Sequence, residues 1–344
     1  MLTQQLFRWP HKTACKLYNY QAMSDISIPI IHDCDPGNDD ALGILVALGS
    51  PDLALKAVST GAGHLVGERT VRNAAITIEV AGARNILVTR GALVPLVREP
   101  LIAGVLDLKS GLDQDRLDLR AAEIVQIMTS SEMIADIASR VDLTVVTTGP
   151  LTNLALALRN RPSTATKLTR IFILGGAWGL GNKTASAEWN ILCDPEAAAI
   201  VLGSGVPITL IPIDATAQVL IDTTLVSEVA ALNGPVPQFA VELLRSLRTT
   251  HQGGRSFGTT DMPLNDPLAL LVAASPAIAR TLPARVDVEL SGNLTYGRTV
   301  IDFYPKSGLA PNCDVVVEFD VGATRRAFVC ALDRVAEMHP STLQ

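Results

Sequence analysis

Short apolar runs rich in β-branched residues alternate along this chain with segments whose apolar residues recur at helical spacing, and that alternation constrains the fold more than any other feature. A continuous apolar run is a strand buried on both faces, the condition of parallel strands covered by helices above and below. The expected strands are Ile28–His32, Leu55–Thr60, Asn85–Thr89, Asp142–Thr147, Arg170–Leu174 and Pro207–Ile213. The expected helices include Ala41–Leu48, Thr70–Ala81, Ala121–Ser139, Asn153–Asn160 and Pro195–Leu202. The fold class is therefore α/β, with an open, mostly parallel central sheet and helices on both faces. The strand runs end repeatedly in Asp, Gly or Thr, and in such sheets ligands bind at the carboxyl ends of the strands.

Composition removes several alternatives. With 344 residues, 48% of them hydrophobic and 18% charged, the chain is neither disordered nor fibrous. It has 28 basic and 34 acidic side chains, a net charge of −6, which argues against a nucleic acid polymer as partner. The five cysteines (Cys15, Cys34, Cys193, Cys313, Cys330) form no CxxC pair, so the expectation is a reducing, cytoplasmic setting without disulfide or zinc framework. No apolar run approaches the roughly 18 residues of a membrane span; the run from Asp266 to Arg280 is short and interrupted. Residues 1–23 are expected as a poorly ordered extension, since the ordered pattern starts just after Met23. Residues 24–344 are expected as a single domain, with a mobile flap at about 233–265 where Pro235, Pro237 and the Gly253–Gly254 pair fall.

The first strand leads into HDCDPGNDDALGI, which sets Asp33, Asp35, Asp39 and Asp40 at one strand-to-helix turn. Pro36 and Gly37 suit the turn, and Asp39 and Asp40 suit a helix N-terminus. Capping uses one or two carboxylates, however, and four together repel unless a cation neutralises them. A hard divalent cation held by oxygen ligands answers that repulsion. The pattern D-x-D-P-G-x-D-D arises by chance in only about one in 10⁵ chains of this length.

With that motif, the sequence resembles the nucleoside hydrolase family, the inosine–uridine type of N-ribohydrolase. The similarity continues through Thr148-Gly149-Pro150-Leu151-Thr152-Asn153, then Gly175-Gly176-Ala177, Gly181-Asn182 and Ala187-Glu188-Trp189-Asn190. It ends with Asp194-Pro195-Glu196-Ala197-Ala198, Asn265-Asp266-Pro267 and Gly292 to Thr299. The resemblance implies a Rossmann-related sheet and hydrolysis of ribonucleosides to base and ribose. It implies a Ca²⁺ ion on Asp35, Asp40, the Thr148 carbonyl and Asp266, with Asp35 also the general base that activates a water. It places Asp39 on the ribose 2′-hydroxyl, and Asn182, Glu188 and Asn190 on the other hydroxyls. Leu174 and Trp189 are further candidate substrate contacts, and a homodimer or homotetramer is implied. The chemistry agrees with this inventory, because an oxocarbenium-like ribosyl cation demands negative charge around the sugar.

Two positions depart from the family pattern. Gly63-His64 stands where the family has Gly-Asn, and Asn265 stands where it has the histidine that protonates the leaving base. Asn265 cannot cycle a proton at neutral pH, so His64, His251 and Arg255 become the candidates for activating the base. Three other readings stay open: an aspartyl phosphotransferase using the D-x-D turn, a Ca²⁺-dependent nucleoside or sugar binder without turnover, and a hydrolase of another N-riboside.

Overall fold

β1 (Ile28–Cys34) is central to the sheet because its last five residues are all buried, leaving neither face for solvent. The computed structural model describes residues 27–63, 65, 67–101, 112, 122–125, 127–250 and 261–338. The other strands are β2 (Leu53–Thr60), β3 (Ile86–Arg90), β4 (Ala122–Val125), β5 (Leu143–Thr147), β6 (Leu168–Leu174), β7 (Ile208–Ile211), β8 (Ala279–Val288), β9 (Thr299–Asp302) and β10 (Cys313–Phe319). They form one ten-stranded sheet in the order β4-β3-β2-β1-β5-β6-β7-β10-β8-β9. Pairing is parallel from β4 through β7 and on to β10, while β8 and β9 join antiparallel at one edge. From β1 the chain builds outward to β4 on one side, then returns to place β5 on the other. The carboxyl ends of β1 and β5 therefore flank the point where strand order reverses, the preferred ligand crevice of an open α/β sheet.

Strand alternation divides the core between the two faces. Ile30, Val146 and Phe172 pack into one cluster with the helices Asn38–Gly49, Gly67–Ala81, Pro235–Thr250, Asp266–Ala274 and Val321–Met338. Ile31, Val145 and Ile171 pack into the other with Ser130–Ala138, Thr152–Asn160 and Pro195–Leu202. Helices on both faces and a mostly parallel sheet match the expected α/β class. No helix among the described residues is long and apolar enough to cross a membrane.

Local differences from the sequence reading have physical causes. The single helix expected over Ala121–Ser139 is the edge strand β4 followed by a shorter helix, which Thr129 starts by accepting the Glu132 N–H. β8 to β10 were not expected as strands; four consecutive residues of β8 are exposed, so it lacks the apolar run that marks a central strand. The segment expected as a flap opens with the 16-residue helix Pro235–Thr250. Val236, Phe239, Ala240, Leu243, Leu244 and Leu247 are buried at helical spacing, and prolines 235 and 237 fall in the first turn, where no N–H is needed. Residues 1–26 and 251–260 lie outside the described set.

The end of helix Asn38–Gly49 meets the C-terminal helix so closely that a Cβ on Gly49 would overlap the Ala331 carbonyl oxygen. Because backbone cannot yield as a side-chain tip can, Gly49→Ala is expected to destabilise by about 1–3 kcal/mol. Thermal unfolding should show Tm lowered by several degrees; an unchanged Tm would mean that the two helices separate freely.

Candidate active site at the strand-order reversal

At the end of β1 the turn Asp35-Pro36-Gly37 delivers the chain into helix Asn38–Gly49. Asp40, three residues after the N-cap Gly37, accepts the Gly37 N–H on Oδ2 at 3.0 Å. Its Oδ1 is not used for capping: it accepts the Thr148 hydroxyl at 2.6 Å, from the residue just beyond β5. Asp266 begins the helix Asp266–Ala274 and reaches the same place. Carboxylate oxygens of Asp39, Asp40 and Asp266 all lie within 4.8 Å of one another. Burial, then the negative charges of Asp35 and Asp39, push the Asp40 carboxyl well above the usual range. Burial, then Asp39, Asp40 and Asp35, do the same to Asp266. A converging all-oxygen set, in which burial and neighbouring carboxylates push the Asp40 and Asp266 carboxyls upward, fits a hard divalent cation.

Asp35, expected among the cation ligands, lies outside that trio, although its charge bears on both Asp40 and Asp266. It is 1% exposed, and its carboxylate packs so closely on two glycines that a Cβ on Gly63 would overlap Oδ2. A Cβ on Gly149 would stand 2.7 Å from Oδ1. The two strand-end loops are thus glycine where they face this carboxylate, a close approach only glycine permits.

Asn190 donates from Nδ2 to the Thr148 carbonyl at 2.8 Å and to the Leu174 carbonyl at 3.2 Å. Its Oδ1 is buried without a hydrogen-bond partner, an acceptor suited to a ligand hydroxyl. Glu188 is buried and accepts three backbone N–H groups, those of Gly176, Asn190 and Ile191, at 2.9 to 3.1 Å. It therefore caps the short helix Trp189–Cys193 and fixes the Gly175–Gly176 turn. Asn182 is exposed, and its Oδ1 accepts the Trp189 N–H at 2.9 Å. Leu174 and Trp189 are buried, with Lys183 Nζ 4.4 Å above the Trp189 ring. The neighbouring Trp178 packs edge-on to Phe303 with ring centroids 6.0 Å apart.

Not every acidic residue of the first motif joins the cluster. Asp33 Oδ1 accepts from the Ser59 hydroxyl and from Asn153 Nδ2, and burial pushes its carboxyl up to about 6. Its role is to tie β1 to β2 and to the start of helix Thr152–Asn160. Asn265 has φ 37° and ψ −109°, and its Oδ1 accepts the Thr216 hydroxyl at 2.9 Å. His64, His251 and Arg255 lie outside the described residues. The sequence reading assigned nothing to His32 or Thr216. A histidine in the middle of an apolar strand was the signal available for the first, and its Nε2 stands 2.8 Å from Thr148 Oγ1. Burial lowers the His32 pKa to about 3, so the ring is neutral.

This arrangement matches a known group of proteins. Residues 30–326 match the family model described as inosine-uridine preferring nucleoside hydrolase. The chain is 39% identical over 306 residues to the pyrimidine-specific ribonucleoside hydrolase RihA of Escherichia coli O9:H4, covering 88% of this chain and 96% of that one. Among solved structures, a purine-preferring ribonucleoside hydrolase from Gardnerella vaginalis superposes with a TM-score of 0.79 at 29% identity, covering 90% of this chain and all of that one. A plant nucleoside hydrolase gives 0.81 at 27% identity, covering 90% and 99%. The protein belongs to the inosine-uridine preferring nucleoside hydrolase family and is a hydrolase of N-glycosyl bonds in ribonucleosides.

Proposed function

We propose that this enzyme is a Ca²⁺-dependent ribonucleoside hydrolase that reads the sugar first and the base second. The observation that carries the reading is the convergence of Asp39, Asp40 and Asp266 at the strand-order reversal, with the Thr148 carbonyl beside them held by Asn190, whose Oδ1 is buried without a hydrogen-bond partner. Asp35, Asp40, the Thr148 carbonyl and Asp266 would hold the ion, which when bound supplies positive charge to anchor the ribose diol and acidify a water. Asp35 takes the proton of the attacking water. Asp39 accepts the ribose 2′-hydroxyl, and Asn190 Oδ1 accepts another sugar hydroxyl. Asn182, Glu188, Leu174 and Trp189 complete the sugar pocket. The buried carboxylates stabilise the cationic ribosyl transition state in a region of low dielectric. A residue other than Asn265 protonates the departing base, with His64 the first candidate. In the same reading the enzyme works in the cytoplasm, where the buried free thiols of Cys34, Cys193, Cys313 and Cys330 stay reduced, and as a homodimer or homotetramer.

Ribose release from uridine, cytidine, inosine, adenosine and guanosine, beside their 2′-deoxy forms, tests the reaction directly. The expected result is turnover of ribosides only, with the pyrimidine ribosides the first to try because RihA is named for them. Equal turnover of deoxyribosides would remove the diol from the mechanism. Asp35→Asn should lower kcat by about 10²–10⁴ while leaving the unfolding transition in place. Residual activity above roughly a tenth of wild type would take the general base away from Asp35.

Calcium should also stabilise the fold in a pH-dependent way. Ion binding to the native state alone adds about 2.7 kcal/mol at a hundredfold excess over Kd, raising Tm by roughly 3–6 °C. Asp40 and Asp266 have folded-state pKa values raised above their unfolded ones. In the chelated protein their contribution is therefore most favourable below about pH 4 and is lost as pH rises through the raised values. The ion needs the deprotonated carboxylates, so the Tm gained on adding Ca²⁺ should grow as pH rises above the ordinary carboxylate range of about 4. A gain independent of pH, measured by thermal unfolding with and without chelator, would place the ion elsewhere.

A further inference from the structure

His32 stands in the middle of β1 where every neighbour along the strand from Ile30 to Cys34, apart from Asp33, is apolar. Its ring is fully buried against helix Asn38–Gly49, at a place where Gly43 leaves room; a Cβ on Gly43 would stand 3.1 Å from His32 Cε1. A leucine would serve that core position without burying a polar ring, so the polar contacts of the imidazole must supply its purpose. The Thr148 hydroxyl has a single proton, and the 2.6 Å bond to Asp40 Oδ1 uses it. In the 2.8 Å contact between Thr148 Oγ1 and His32 Nε2, the imidazole is then the donor. The tautomer follows: Nε2 carries the proton and Nδ1 is a bare lone pair, in keeping with Nδ1 being buried without a hydrogen-bond partner.

We propose that His32 is a positioning residue for the cation site, its Nε2–H fixing the Thr148 hydroxyl so that Thr148 in turn fixes the Asp40 carboxylate. The role rests on the reading of Asp40, Thr148 and Asp266 as cation ligands. Thr148 is held from three directions. Its N–H donates to the Asp33 carbonyl at 2.9 Å, its carbonyl accepts Asn190 Nδ2 at 2.8 Å, and its hydroxyl sits between His32 and Asp40. One residue thereby presents a carbonyl to the site and orients a carboxylate of the site, and the histidine selects the rotamer that does both. Groups that orient ligands in this way govern metal affinity more than they govern folding.

Calorimetric titration of the metal-free enzyme with Ca²⁺ alone tests the role without reference to turnover. His32→Leu keeps the volume and loses the donor; its Kd for Ca²⁺ should weaken by about tenfold. His32→Gln places an amide N–H near Nε2 and should restore most of that loss. In a Thr148→Val background, where no hydroxyl remains to orient, His32→Leu should change Kd no further. An unchanged Kd in His32→Leu, or a Gln variant no better than the Leu variant, would overturn the role. Should the Leu variant fail to fold, Thr148→Val decides: weakened Ca²⁺ binding supports the relay, and wild-type binding overturns it. A wild-type protein that binds no Ca²⁺ overturns the cation reading itself and the role of His32 with it, whereas wild-type binding with His32→Leu unaffected overturns only the latter.

Discussion

Like charges buried together are the constraint on which the rest of this structure depends. Asp35, Asp40 and Asp266 are each at least 95% inaccessible to solvent, and burial together with neighbouring carboxylates, Asp35 among them, pushes the Asp40 and Asp266 carboxyls well above their usual range. Such a cluster is unfavourable by desolvation and by repulsion, and it persists because the fold surrounds it with compensating groups. Two helices, Asn38–Gly49 and Asp266–Ala274, point their N-termini at it, adding positive dipole where the carboxylates lie. The β–α turn after β1 places the first of these N-termini at the carboxyl edge of the sheet, whereas the second follows no strand among the described residues and is brought there by the packing of its helix against Asn38–Gly49. What the sequence adds is the number of Asp residues at that edge, and that number is what calls for a cation.

Several residues that look chemical in the motifs turn out to hold the frame. Asn153, the last residue of the TGPLTN stretch, donates to Asp33 and to the Thr60 carbonyl, and its Oδ1 accepts the Ala92 N–H, so it joins three strand-end loops. Asp194 accepts from Ala197, Thr152 and Leu96, capping one helix while tying two other segments to it. Glu188 is spent largely on backbone N–H groups. A site that must hold carboxylates in fixed positions against their mutual repulsion needs neighbours that are themselves fixed. The motifs are long because they encode that second requirement along with the first.

The parts of the fold that the sequence displays are those with one dominant physical signal. The central strands are apolar on both faces, so their positions can be read within a few residues. The acidic turn is equally plain, because four Asp residues at a strand end have few structural uses. β8 is hidden by its exposed residues, and the helix Pro235–Thr250 by prolines that resemble loop signals until the buried spacing behind them is seen. Within the acidic motif, the resemblance gives roles to Asp35, Asp39 and Asp40 and none to Asp33, but composition and spacing do not show what Asp33 does instead. The distinction comes from Ser59 and Asn153, and the second of these is 120 residues away. His32 was illegible for the same reason. A single histidine in a strand means little until Thr148, 116 residues later, is found against its ring.

Position 265 shows how backbone and chemistry can be told apart. A φ of 37° disfavours most side chains, yet asparagine and histidine are both enriched where φ is positive. The backbone therefore accepts either, and it does not force the replacement of a protonatable ring by an amide. What distinguishes Asn265 is its tie to Thr216, which anchors the side chain beside the first residue of the Asp266 helix. The loop holding Asp266 in place is thus secured by a neutral hydrogen bond that does not change with pH. With the amide tied to Thr216, the proposed mechanism takes the proton for a departing base from another residue of the pocket, and so separates the residue that steadies Asp266 from the one that activates the base.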